Sequence, residues 1–211
     1  MSGRRIPDVV IRRLPLYLRI LDDLDHKENP IISSQELGDR SGATPGQVRK
    51  DLSFFGVFGK QGVGYSTQNL REELRKILRL HQQVSVGLIG VGNLGTALIR
   101  YNVAREKRYP EGTGLKLVAA FDDDEKKVGR RISGVEVFST NDLRKLVNSL
   151  KLSMIILTVP AEAAPEVLTN CIQAGVKAFL NFAPTKLIAP PDVRIHHSDV
   201  TLELESLAYF R

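Results

Sequence analysis

Three glycines, Gly90, Gly92 and Gly95, break the apolar run VGLIGVGNLGTAL at residues 86–98. That spacing, after a strand and before a helix, permits a tight turn, close approach of a pyrophosphate and close packing of the helix, whose N-terminus attracts phosphate charge. Gly90, Val91, Gly92, Asn93, Leu94 and Gly95 are therefore the candidate dinucleotide cradle. The next apolar run, LKLVAAFDDD, ends in Asp122, an acid placed to hold the adenosine ribose hydroxyls. A carboxylate there repels a 2′-phosphate and favours NAD(H) over NADP(H), against the pull of Lys126, Lys127, Arg130 and Arg131 close behind it. Asp122 stands further from the glycines than the usual roughly 20 residues. The polar segment EKRYPEGTG reads as an inserted loop that accounts for the delay.

Two more apolar runs, MIILTVP and AFLNFAP, flank a helical stretch and read as buried parallel strands whose C-terminal ends face the same crevice. Thr158, Val159, Pro160, Asn181, Phe182 and Ala183 are the candidate contacts they supply. Reaction chemistry is harder to find. His196 and His197 have no Asp or Lys constellation beside them, and a dehydrogenase would need a second domain where only RIHHSDVTLELESLAYFR remains. No catalytic residue is assigned, and the dinucleotide is better read as something sensed than as something transformed. Four histidines without finger or helical spacing and a single cysteine, Cys171, give no metal site and no intrachain disulfide.

The elements that must position these residues make an α/β chain, with a Rossmann-like doubly wound parallel sheet over residues 81–200. A different kind of domain precedes it, over residues 1–80, and a helix closes the chain over residues 201–211. The net charge is +6. Its larger share lies in the first 80 residues, where 14 Lys and Arg face 10 Asp and Glu; an excess of this size is only a weak pointer to nucleic acid. No apolar stretch reaches the roughly 18 residues of a membrane span and the first ten residues lack a secretory signal, so a cytoplasmic protein is expected.

Within residues 1–80, Val10, Leu14, Tyr17, Leu18, Leu21 and Leu24 recur at helical spacing, with a break or bend expected at Pro15. Ser33 and Glu36 form one capping box; Thr44 and Gln47 form another, with Pro45 at the first helical position. Two capped helices joined through Gly42 make a helix-turn-helix. Val48, Leu52 and Phe55 face its core, leaving Gln47, Arg49, Lys50 and Ser53 outward, with Thr44 at the helix start, as the types that meet phosphates and base edges. The segment GVFGKQGVGYS reads as a hairpin wing that carries Lys60 and Gln61 toward a phosphate or the minor groove. NLREELRKILRL, residues 69–80, reads as a further helix bridging to the second domain.

The motifs YLRIL, SSQELG, QVRKDLSFFG, GVGY, LIGVGNLGTAL, LTVP, LNFAP and the closing segment from Asp199 together resemble the redox-sensing transcriptional repressors of the Rex family over nearly the whole chain. The resemblance implies a homodimer that binds inverted-repeat operator DNA and releases it when NADH replaces NAD⁺. It also implies that the last helix, with Leu202, Leu204, Leu207, Ala208, Tyr209 and Phe210, is exchanged between subunits. Arg19, Tyr101 and Asp199 match the family's polar switch, while Val200 stands where some relatives carry an aromatic residue. Two rival readings are a small NAD-dependent dehydrogenase and a coenzyme A-type nucleotide-binding module.

Overall fold

The computed structural model describes residues 6–24, 27–56, 58–60, 62–109 and 113–211, with the side chain of Lys60 outside that description. The chain divides into two units, Met1–Gln82 and Gln83–Arg211.

In the first unit, helix α1 (Asp8–Asp22) runs unbroken through Pro15, so of the break or bend expected near Leu14 the break does not occur. Competing magnitudes explain the outcome. An interior proline costs about 3 kcal/mol, whereas burying each of Leu14, Tyr17, Leu18 and Leu21 returns about 1.5–3 kcal/mol. Pro15 itself sits on the exposed side, near Ile11, whose carbonyl loses its helical partner there. Helix α2 (Ser34–Ser41) is capped by Ser33 Oγ, which accepts the Glu36 N–H at 3.0 Å. It ends at Gly42 in the left-handed region, φ 70°. Helix α3 (Pro45–Ser53) starts from Thr44, whose Oγ1 accepts the Gln47 N–H at 3.2 Å.

Strands β1 (Ile31–Ile32), β2 (Gly59–Lys60) and β3 (Gly64–Ser66) form an antiparallel sheet in the order β1-β3-β2, so the expected wing hairpin is present. Helix α4 (Thr67–Ile77) follows at once, capped by Ser66. It begins two residues before the expected start and stops three before the expected end, where Arg79 turns left-handed, φ 58°, and the Leu80 N–H returns to the Arg75 carbonyl. Leu14, Tyr17, Leu37, Val48, Leu52 and Leu74 form the centre of this unit's core.

The second unit contains β4 (Val84–Ile89), α5 (Asn93–Arg108), β5 (Leu115–Asp122), β6 (Arg131–Ile132), β7 (Val135–Ser139), α6 (Leu143–Ser149), β8 (Leu152–Leu157), α7 (Ala164–Gln173), β9 (Ala178–Asn181), β10 (Arg194–His197) and α8 (Val200–Ala208). The sheet order is β10-β9-β8-β4-β5-β7-β6, parallel except for β6. This is a Rossmann-like doubly wound sheet, reversing direction between β4 and β8, where such folds open a ligand crevice. Strand alternation creates two cores. Ile89, Phe121, Ile155 and Leu157 pack with residues of α6 and α7, while Leu88, Ala120 and Ile156 pack with Ile99 of α5.

The expected insertion starts later than the sequence suggested, because α5 continues to Arg108; residues 110–112 lie outside the described residues. Helix α8 has no buried residue. No helix among the described residues is long and apolar enough to cross a membrane.

Candidate functional site: nucleotide cleft and nucleic-acid interface

Strand pairing continues past the strand ends and locks three loops together. Gly90 N–H donates to the Phe121 carbonyl, Thr158 N–H to that of Ile89 and Phe182 N–H to that of Leu157, each at 2.9 Å. Gly90 is left-handed, φ 96°, and a Cβ there would come within 2.7 Å of the Thr158 carbonyl. The Thr158 hydroxyl donates to the Gly90 carbonyl at 2.7 Å and so pins the turn from the neighbouring strand. At Gly95 a Cβ would collide with the Gly90 carbonyl oxygen. Gly92 differs from both: a Cβ there meets nothing within 4 Å. Its missing side chain therefore serves open space in front of α5, whose first turn has no side-chain cap. A phosphate fits that cradle, since it can approach the backbone and take the uncapped N–H groups.

Asp122 is buried at the end of β5. One carboxylate oxygen accepts the Val91 N–H at 2.6 Å, the other accepts the Asp124 N–H at 3.0 Å, and Lys127 Nζ lies 3.1 Å away. Burial opposes its ionisation, but the N–H groups of Asp124 and Val91 and the Lys127 ammonium outweigh that cost and hold its pKa below the usual value.

A cleft of about 660 Å³ opens over these strand ends. Among the sequence candidates, Gly90, Gly92, Leu94, Asp122, Thr158, Val159, Pro160 and Phe182 line it. Val91, Asn93, Gly95, Asn181 and Ala183 do not. The Asn181 side chain is committed inward: Nδ2 donates to the carbonyls of Ala183 and Thr185, and Oδ1 accepts the Ala183 N–H. It shapes the turn that presents Phe182.

Residues not singled out from sequence complete the cleft: Ile89, Asp123, Thr140, Ala163 and Pro184, with Glu166, Val167 and Asn170 along α7. Lys127, weighed there only as a source of 2′-phosphate affinity, also lines it. A helical projection separates Glu166 and Asn170 from the buried Leu168 and Cys171, but it does not say that their side of α7 borders a ligand. Burial pushes the Cys171 thiol up to about 12, which leaves it an inert core side chain. Among the described residues no group of three or more His, Cys, Asp or Glu could hold a metal ion.

In the first unit, Arg49, Lys50, Ser53 and Thr44 are exposed and Gln47 is half-buried. Arg49 Nη1 donates to Ser34 Oγ at 2.9 Å, tying the outer surface of α3 to the start of α2. Lys60 lies in β2, and Gln61 lies outside the described residues. Of the switch candidates, Arg19 lies in the first unit, and Tyr101 and Asp199 lie in the second. Arg19 is exposed on α1, Tyr101 is exposed on α5, and Asp199 Oδ1 caps α8 by accepting the N–H groups of Thr201 and Leu202.

Two family models match the chain: "Putative DNA-binding protein N-terminus" over residues 5–53 and "CoA binding domain" over residues 81–185. A redox-sensing transcriptional repressor Rex from Natranaerobius thermophilus is 48% identical over 97% of this chain and 90% of its own length. The Rex protein of Brevibacillus brevis is 41% identical over 98% of this chain and 97% of its own. Among solved structures, RSP in complex with beta-NAD+ and operator DNA matches with a TM-score of 0.86 at 34% identity, covering 99% of this chain and 93% of that one. RSP in complex with beta-NADH matches with a TM-score of 0.82 at 33% identity, covering 99% of this chain and 95% of that one.

Proposed function

The chain belongs to the Rex family of redox-sensing transcriptional repressors, and from that premise we propose that its two units work as reader and sensor of one switch. It is a regulator of transcription: the winged helix binds operator DNA, the Rossmann-like unit binds NAD⁺ or NADH, and NADH releases the operator. The observation that carries this reading is the near full-length likeness to RSP bound to beta-NAD+ and operator DNA, together with an open glycine cradle in this chain.

In the sensor, Gly90, Gly92 and the first turn of α5 would hold the pyrophosphate, with Thr158 fixing the turn and Asp122 holding its middle through Val91. Asp122 and its neighbour Asp123 supply the negative charge that disfavours a 2′-phosphate. The nucleotide brings the redox difference, one hydride and one positive charge at the nicotinamide. In the reader, Arg49, Lys50 and Ser53 would enter the major groove from α3, with Thr44 and Gln47 at its start and Lys60 and Gln61 on the wing.

Coupling the two requires a partner subunit. The working form is a homodimer with α8 exchanged, an arrangement supported by the exposure of Leu202, Leu204, Leu207 and Phe210, at 61–78%, which leaves an apolar helix uncovered by its own chain. A dimer spaces its two recognition helices to meet successive major grooves, so rotating one subunit against the other abolishes binding without changing either helix. Asp199 would serve as the switch acid: capping α8 through Oδ1 leaves Oδ2 for Arg19 or Tyr101. A ligand biases such an equilibrium only by its differential affinity, about 1.4 kcal/mol for each factor of ten.

The test is binding to a palindromic duplex pool at fixed salt, with saturating NAD⁺, NADH or coenzyme A in parallel arms. The reading expects a specific complex that NADH dissolves and NAD⁺ spares. Loss with coenzyme A instead would assign the cleft to the ligand class of the second family model, and absence of DNA binding in every arm would remove the reader.

A further inference from the structure

Of the three charged residues on α3, Arg49 and Lys50 face solvent, and Asp51 is 1% exposed. Its carboxylate is gripped by α1. Arg13 Nε donates to Oδ2 at 2.6 Å, Arg13 Nη2 to Oδ1 at 2.7 Å, and the Tyr17 hydroxyl to Oδ2 at 2.8 Å. Arg13 and Tyr17 stand one helical turn apart, so both reach the same acid. Tyr17 is fully buried, and that burial, with the Asp51 hydrogen bond, raises its hydroxyl to about 12, so it remains a donor wherever the protein is used.

Stability is a weak reason for such an arrangement, because desolvating an ion pair offsets most of its attraction. Direction is a better one. The apolar contacts of Val48 and Leu52 hold α3 in place but tolerate rotation, since hydrophobic burial is non-directional. A planar guanidinium on both oxygens of a carboxylate does not tolerate it. A turn of about 20° on a helix whose side-chain envelope is roughly 5–6 Å in radius moves the outer tips by about 2 Å, beyond what a base-edge hydrogen bond accepts. The same grip turns the acid of α3 away from DNA phosphate, so the charged groups on its outer face are cations alone. At the other end of α1, Asp22 accepts Arg71 Nε at 2.7 Å and Arg75 Nη2 at 3.1 Å, tying α1 to α4.

We infer that Asp51, held by Arg13 and Tyr17, is a positioning residue for operator discrimination: it fixes the rotation of α3 and thereby where Arg49, Lys50 and Ser53 meet the bases. The inference rests on α3 being the recognition helix.

The experiment measures anisotropy of the full chain on two duplexes of equal length, one selected by the wild-type chain from a randomised palindromic pool and one scrambled. The variants are Asp51→Asn, Tyr17→Phe and the double replacement Arg13→Met with Asp51→Leu, which substitutes apolar packing for the ion pair. The expected result is a selected-to-scrambled affinity ratio at least about tenfold lower for Asp51→Asn and the double replacement, and about threefold lower for Tyr17→Phe. Scrambled-duplex affinity, its salt slope and NADH affinity stay at wild-type values. If Asp51→Asn fails to fold, the other two decide. A ratio unchanged in both Tyr17→Phe and the double replacement, or a parallel loss on both duplexes, overturns the inference. A wild-type chain that selects no duplex refutes the DNA-binding reading instead, a result distinct from any change among the variants.

Discussion

The carboxylate of Asp122 accepts the backbone N–H of Val91 at 2.6 Å, joining the end of β5 to the middle of the glycine turn that precedes α5. Asp122 thus both lines the cleft and shapes the glycine turn beside it. Asp122→Ala is expected to weaken NADH binding about 10- to 100-fold, the loss associated with a charge-assisted hydrogen bond of about 1.5–3 kcal/mol. Calorimetric titration checks it, and wild-type affinity in the variant would take Asp122 out of the site.

The depressed pKa of Asp122 also sets a pH dependence. Because the folded carboxyl ionises more readily than the unfolded one, with its ordinary value of 3.8, the proton prefers the unfolded chain. The stabilisation is complete above the ordinary value and is lost as pH falls through the depressed folded value. Thermal midpoints of wild type and Asp122→Asn should differ by a constant amount above about pH 5 and converge below about pH 4. A gap that widens in acid would show that the sign is wrong.

The three glycines separate fold from function. Gly95→Ala forces a Cβ into the Gly90 carbonyl, so loss of the folded Rossmann-like unit is expected, visible as a lower midpoint by circular dichroism. Gly92→Ala meets no protein atom within 4 Å, so its midpoint should stay near wild type while NADH affinity falls at least about tenfold, the phosphate being held off the backbone. Equal NADH affinity in Gly92→Ala and wild type would mean that the nucleotide does not approach there.

Why some of this was legible in the sequence and some was not follows from how far each determinant reaches. Ser33, Thr44 and Pro45 act within four residues, so both caps of the helix-turn-helix were readable in advance. Gly90, Gly92 and Gly95 were readable for the same reason. A break at Pro15 does not form because its local cost is outweighed by the burial of residues from α1 in a core shared with three other helices, which no window of sequence contains. Asn181 was placed correctly at a strand end, yet its side chain turns inward to Ala183 and Thr185, a choice made by the loop. Asp51 carries no signal between Lys50 and Leu52, since only the packing of α1 on α3 reveals its partners 34 and 38 residues away. The cleft wall on α7 was equally hidden, because amphipathicity gives a helix two sides without naming what each borders.

Arg49→Ala and Lys50→Ala should each lower operator affinity while leaving NADH affinity unchanged, because both side chains are exposed on α3 and none of the nucleotide cleft is built from it. A residue that reads a base should cost about 1–3 kcal/mol and relax selectivity, whereas one that holds a phosphate should weaken all duplexes alike and reduce the salt slope by about 1. Anisotropy at several salt concentrations separates the two roles. Arg49 begins tied to Ser34, so its variant also releases the start of α2.

Helix α8 gives the last prediction. Leu204 and Leu207 lie three residues apart on α8, hence on one side, and both are more than 60% exposed. If a second copy covers them, Leu204→Glu with Leu207→Glu places two carboxylates in an apolar interface, and sedimentation equilibrium should show a monomer at concentrations where wild type is a dimer. Operator affinity should then fall by roughly 10²–10⁴, because two half-sites would be bound independently instead of through one linked pair of heads. Nucleotide affinity follows a different rule, since none of the residues of this chain that line the cleft lies on α8. A variant that loses dimer and operator but keeps NADH would therefore assign the subunit contact, and with it tight operator binding, to α8. A variant that remains a dimer would leave α8 outside the interface and move the search for the coupling surface elsewhere on the chain.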